Sequence, residues 1–138
     1  MRTFYIFKIN KEMAILTKDT PYNMFKSMEQ IYRLDKKDFS LGLKLFEQLA
    51  EPINHKRINN RIFNLYKDND HYTKFRNVHQ IHNRYKPEET KLTVNKVYLM
   101  LESNIVKPLF FRHLNLDSNL FVCDFENKDY FWLESLNI

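Results

Sequence analysis

Tyr5, Phe7 and Ile9 alternate with Phe4, Ile6 and Lys8 at the start of the chain. Both sets are largely apolar, so the pattern predicts a strand buried on both faces. Helical patterns follow. Thr20-Pro21 marks a helix start, with Thr20 as N-cap and Pro21 at the first helical position, where its missing N–H costs nothing. Met24, Phe25, Met28, Ile31 and Tyr32 then recur at helical spacing. Asp38 is placed to cap a second helix with the face Phe39, Leu43, Phe46 and Leu49, ended by Pro52. Gly42 within it costs about 1 kcal/mol relative to alanine. Ile58, Ile62, Phe63 and Tyr66 suggest a third helix. From Asp68 to Glu89 the periodicity is poor, and the run Tyr72 to Tyr85 fits strand, helix or irregular chain alike.

Lys91–Val94 and Val97–Leu101 read as a hairpin joined by the two residues Asn95-Lys96. Asn104 is placed to cap a helix that carries Pro108 in its first turn and apolar residues at 106, 109, 110 and 114. Leu120–Phe125, a polar turn of four residues and Tyr130–Leu133 predict a terminal hairpin. That much aromatic mass has to be buried, so the end of the chain is core rather than tail. Strand, two or three helices, two strands, helix and two strands define an α+β fold. The expectation is one domain over residues 1–138, a mostly antiparallel sheet of about four or five strands with helices packed on it.

Composition narrows the class. A chain of 138 residues buries about two-thirds of its unfolded surface as one domain. Its 43% hydrophobic and 15% aromatic content is that of a folded protein. The longest apolar run, Val97–Leu101, is far too short to span a membrane, and the apolar stretch before Lys8 is too short for a signal peptide. One cysteine, Cys123, forms no internal disulfide and suits a reducing compartment, so a cytoplasmic location is expected.

Charge is unevenly spread. Residues 54–86 hold eight lysines and arginines against Asp68 and Asp70, a local balance of +6 in a chain of net +5. Lys56, Arg57, Arg61, Lys74, Arg76 and Arg84 are the candidate nucleic-acid contacts of this segment. Tyr66, Tyr72, Phe75 and Tyr85 interleave with the cations, as in a groove for single-stranded nucleic acid. The alternatives are a solvated basic face and rings that anchor the segment to the core.

Catalytic chemistry does not assemble. With Gly42 the only glycine, neither a P-loop nor a dinucleotide fingerprint exists. His79 and His82 have helical i, i+3 spacing but lack further metal ligands, and read as surface histidines. Cys123 runs in phase with Phe121 and Phe125 and points into the core, whereas Asp124 faces the other way as a surface or hydrogen-bonding residue. No carboxylates pair as general acid and base. The chain is therefore expected to be no enzyme and to take no metal, cofactor, small-molecule substrate or membrane.

Three passages resemble a known family, the SirA sporulation inhibitors of replication. They are Tyr5-Ile6-Phe7-Lys8-Ile9-Asn10-Lys11-Glu12-Met13-Ala14, then Met24-Phe25 with Glu51-Pro52-Ile53, and Leu109-Phe110-Phe111 through Phe125-Glu126-Asn127-Lys128-Asp129-Tyr130-Phe131-Trp132-Leu133. The resemblance runs nearly end to end and is weakest over residues 54–90. It implies a regulatory binding protein that prevents replication initiation by covering the N-terminal domain of the initiator DnaA. The family's contact positions fall on Met13, Thr17 and the neighbourhood of Gln48, with threonine in place of an aromatic at 17. Met13 reads equally well as a core residue at a strand end.

Overall fold

A computed structural model of the chain describes residues 1–115 and 118–136. Strand β1 (Arg2–Ile9) is the axis of the molecule. It pairs antiparallel with β6 (Leu99–Ser103) on one side and β7 (Leu120–Asp124) on the other, which joins the two ends of the chain in one sheet. Beyond β7 lies β8 (Asp129–Trp132); beyond β6 lie β5 (Glu88–Val94), β4 (Val78–Asn83) and β3 (Tyr72–Phe75). The two-residue β2 (Ala50–Glu51) pairs with Lys8 and Ile9 where β6 has ended. Eight strands among the described residues therefore form one antiparallel sheet, more than the four or five that the sequence pattern predicts.

Besides the two-residue β2, the extra strands are β3 and β4, from residues 68–90, where the pattern is weakest. On β4 one face is buried and the other is solvated, and on β3 only Tyr72 is buried; the strands are short and Thr, Gln, His and Lys fill much of them. The hairpin β5–β6 is joined by four residues, Asn95–Tyr98, and not by two. A backbone bond of 3.0 Å from Asn95 N to Tyr98 O closes it.

Among the described residues five α-helices cover the sheet: α1 (Lys11–Thr17), α2 (Pro21–Tyr32), α3 (Phe39–Leu49), α4 (His55–Tyr66) and α5 (Phe110–Leu114). Ile58, Ile62 and Tyr66 of α4 and Phe110, Phe111 and Leu114 of α5 pack on Phe4, Ile6, Leu92, Leu99, Leu101 and Val122. Ala14 of α1 and Met24, Phe25 and Met28 of α2 pack on the opposite face, over Phe7, Ile9, Phe121, Cys123 and Trp132. The central strands are thus sandwiched between two helical layers. This explains why β1 has no polar face and why every residue of β7 is buried.

Local chemistry departs from the sequence pattern at four points. Helix α1 occupies a stretch to which the sequence pattern assigns no helix, Met13 alone being read as a possible strand end. Thr20 precedes α2 as expected, but its side chain makes no cap bond; Asp38 likewise makes none, because a short 3₁₀ turn (Lys36–Asp38) leads into α3. Asn104 does not cap a helix. Its Oδ1 accepts from Glu89 N at 2.9 Å and its Nδ2 donates to Pro87 O, so it fastens β5 to the end of β6, while α5 begins only at Phe110.

The fourth concerns His79 and Asp124. His79 lies on a strand, so His79 and His82 face opposite sides of the sheet. His79 is buried; its Nδ1 meets the Tyr72 hydroxyl and its Nε2 meets Asn59 Oδ1, both at 2.7 Å. Asp124 is buried, and of its two sequence readings the hydrogen-bonding one holds. It accepts from Arg2 Nε at 2.9 Å and Asn127 Nδ2 at 2.8 Å, which ties the first strand to the β7–β8 turn.

Candidate protein-binding surface

Asn10 starts α1 as its N-cap, with Oδ1 accepting from Met13 N at 2.9 Å. The same side chain donates from Nδ2 to Gln48 O at 2.7 Å, and Asn10 N donates to Leu49 O at 2.9 Å. One residue thereby caps α1 and fixes its start to the end of α3. The face of α1 toward the core is Ala14 and Thr17, with Met13 half-buried at its margin. The opposite face presents Ile15 and Leu16, 69% and 72% exposed. Adjacent apolar side chains at this exposure on a seven-residue helix serve no internal packing.

Of the three positions singled out in the sequence, Met13 and Gln48 are brought together through Asn10. Thr17 is buried, and its hydroxyl donates to Met13 O at 2.7 Å, so it shapes α1 from behind. Ile15 and Leu16 are missed by the sequence reading, which assigns no helix to this stretch. Once Asn10 is drawn as an N-cap they are the two apolar residues that the Ala14–Thr17 face leaves outside.

Helix α3 extends this apolar surface. Each of its side chains is half-buried or exposed, although Phe39, Leu41, Leu43, Leu45, Phe46 and Leu49 are apolar. Between α3 and the sheet runs an open groove of about 510 Å³, floored by Tyr5, Phe7 and Tyr98 and walled by Tyr32, Leu43 and Phe46. The floor is an aromatic network: Tyr32 stacks on Phe125 at 4.3 Å between centroids, and Tyr5 lies 5.5 Å from Tyr32. Burial, reinforced by the neighbouring Tyr32, pushes the Tyr5 phenol up to about 12, so it stays neutral.

The ion pairs hold the scaffold. Glu29 of α2 is buried and receives Lys128 Nζ and Lys26 Nζ, each at 3.1 Å. These charge-assisted bonds, Lys128 first, hold its carboxyl below the usual range. Lys18, at the end of α1, pairs with Glu134 and lies 4.8 Å from the Trp132 ring centroid.

The basic residues do not form one patch. Lys56, Arg57 and Arg61 are exposed on α4, where Arg61 Nε donates to His113 O of the neighbouring α5. Lys74 is on β3 and Arg76 in the β3–β4 turn, whereas Arg84 lies in the β4–β5 turn at the other end of β4. Six residues of strand separate the two turns by about 20 Å. Tyr66 and Tyr72 are buried core rings, and Phe75 and Tyr85 are exposed. Cys123 is buried among aromatic rings, and burial pushes its thiol up, away from nucleophilic use. Among the described residues no three His, Cys, Asp or Glu side chains gather as metal ligands, and no helix is long and apolar enough to cross a membrane.

The architecture defines a small α+β domain that presents outward apolar side chains on two linked helices, α1 and α3. Family comparison gives the same class a specific form. The chain belongs to the SirA family, whose model, described as sporulation inhibitor of replication protein SirA, matches residues 2–137. This is a family of inhibitors of replication. No curated protein matches the chain.

Proposed function

We propose that this chain is a cytoplasmic inhibitor of replication initiation that binds the N-terminal domain of the initiator DnaA through α1 and the end of α3. The observation that carries the reading is the pair Ile15 and Leu16, exposed on a helix whose position is set by Asn10. Met13 adds an adaptable apolar edge, Gln48 a polar rim, and Thr17 the internal bond that keeps α1 in shape. An interface of about 800 Å² per partner is of the size that specific complexes use. Covering the initiator's N-terminal domain removes a surface needed for assembly at the origin, so inhibition requires occupancy and no chemistry.

Expression of the protein in growing cells of the source organism tests this reading through the origin-to-terminus DNA ratio. The wild type lowers the ratio, and Leu16→Asp at equal abundance does not. An unchanged ratio with the wild type, or equal inhibition by the variant, overturns the assignment.

A further inference from the structure

The basic segment has one end at which the fold concentrates its charge. Val94 N donates to Asn77 O at 2.9 Å, and Ile53 N donates to Lys96 O at 2.8 Å. These two bonds bring the β3–β4 turn, the β5–β6 connection and the start of α4 to the same end of the sheet. Lys56, Arg76 and Lys96 belong to these elements, Lys74 lies near the end of β3 beside the turn, and all four are exposed. None of the four has a carboxylate within ion-pair distance among the described residues. Residues 52–67 and 71–87 contain no Asp or Glu.

Two exposed rings stand among these cations. Phe75 is 73% exposed with the Arg76 guanidinium 5.4 Å from its centroid, and Phe63 is 42% exposed with Lys74 Nζ at 6.0 Å. Arg76 also holds a positive φ of 55°, a conformation that asparagine or glycine adopts at lower cost. Cations beside unpacked aromatic faces match a sugar-phosphate chain with unstacked bases: the charges take phosphates and the rings take bases.

We infer that this corner of the molecule is a binding site for single-stranded nucleic acid. Lys74, Phe75 and Arg76 stand at the β3 edge of the sheet, whereas α1, α2 and α3 pack over β1, β7 and β8 toward its other edge. Occupancy here is therefore independent of the protein-binding surface, and the inference does not rest on the identity of the protein partner.

The test is fluorescence anisotropy of a labelled oligothymidine of twenty nucleotides with the full chain at 50 and 200 mM salt. Four phosphate contacts give a log–log slope of about −3, a loss of about 50-fold across that range. Lys74→Glu with Arg76→Asn weakens binding at 50 mM at least tenfold and flattens the slope. Phe75→Ala weakens it about tenfold, as removal of one stacking platform does. Leu16→Asp leaves it unchanged. Absence of binding at 50 mM, or binding indifferent to the Lys74 and Arg76 changes, overturns the site. Equal affinity for duplex, with Phe75→Ala silent, overturns its assignment to single strands.

Discussion

Asn10 grips Gln48: its side-chain amide donates 2.7 Å to the Gln48 carbonyl while its oxygen caps α1 at Met13 N. The contact crosses 38 residues of sequence and is the only side-chain bond among the described residues that fixes α1 against α3. This amide, together with the backbone bond from Asn10 N to Leu49 O, sets the relative position of the two helices and hence the shape of the surface bearing Ile15 and Leu16.

Asn10→Ala removes both bonds. Loss of an N-cap costs about 1 kcal/mol, and the Gln48 contact adds about the same. Urea denaturation should show about 2 kcal/mol of destabilisation, with the protein still folded. Asn10→Asp keeps the cap and loses the donor to Gln48, so it should fall between alanine and the wild type.

His79 makes the fold sensitive to acid. Burial, with a smaller contribution from Lys74, lowers its imidazole to about 4 from an ordinary 6.5. The folded state therefore holds neutral His79 while the unfolded chain binds a proton below pH 6.5. Stability from this group is complete above pH 6.5 and drains as pH falls toward 4. The loss at pH 5 is about 2 kcal/mol, rising to about 3 kcal/mol near pH 4. Unfolding free energies at pH 7, 6 and 5 should follow that slope. His79→Gln should flatten it apart from a remainder due to His113, which burial also lowers.

Gly42 sits in the middle of α3, where alanine is favoured by about 1 kcal/mol. A Cβ there meets only the Leu34 Cδ1 methyl at 3.2 Å. Leu34 is half-buried on a connecting segment and its methyl can yield by a few tenths of an ångström. Gly42→Ala should therefore raise the melting temperature by about 3 °C. A fall in melting temperature would show that the close approach of α3 to Leu34 is rigid.

Much of this fold is legible in the residue pattern. The two-sided apolar alternation of β1, the Thr20-Pro21 start of α2, the Ile58–Ile62–Tyr66 stripe of α4 and the inward phase of Cys123 each map onto observed structure. The failures have physical causes. Helix α1 is short and its exposed face mixes Lys11 and Glu12 with Ile15 and Leu16, so Lys11–Thr17 lacks the clean polar side that distinguishes an amphipathic helix. His79 looks polar in sequence because its partners, Tyr72 and Asn59, lie 7 and 20 residues away and are joined only by β3–β4 pairing and α4 packing. Thr17 carries a family position onto a buried hydroxyl, which spacing alone does not distinguish from a surface one. The face of α3 is legible as a stripe, but its incomplete burial over an aromatic groove is a tertiary fact.

Calorimetric titration of the purified chain against the isolated N-terminal domain of the source organism's DnaA addresses the central claim most directly. The account predicts a saturable one-to-one complex that Ile15→Asp with Leu16→Asp weakens at least a hundredfold, with the melting temperature of the variant unchanged. Titration without heat or saturation for the wild type, or undiminished affinity in the folded double variant, would contradict it.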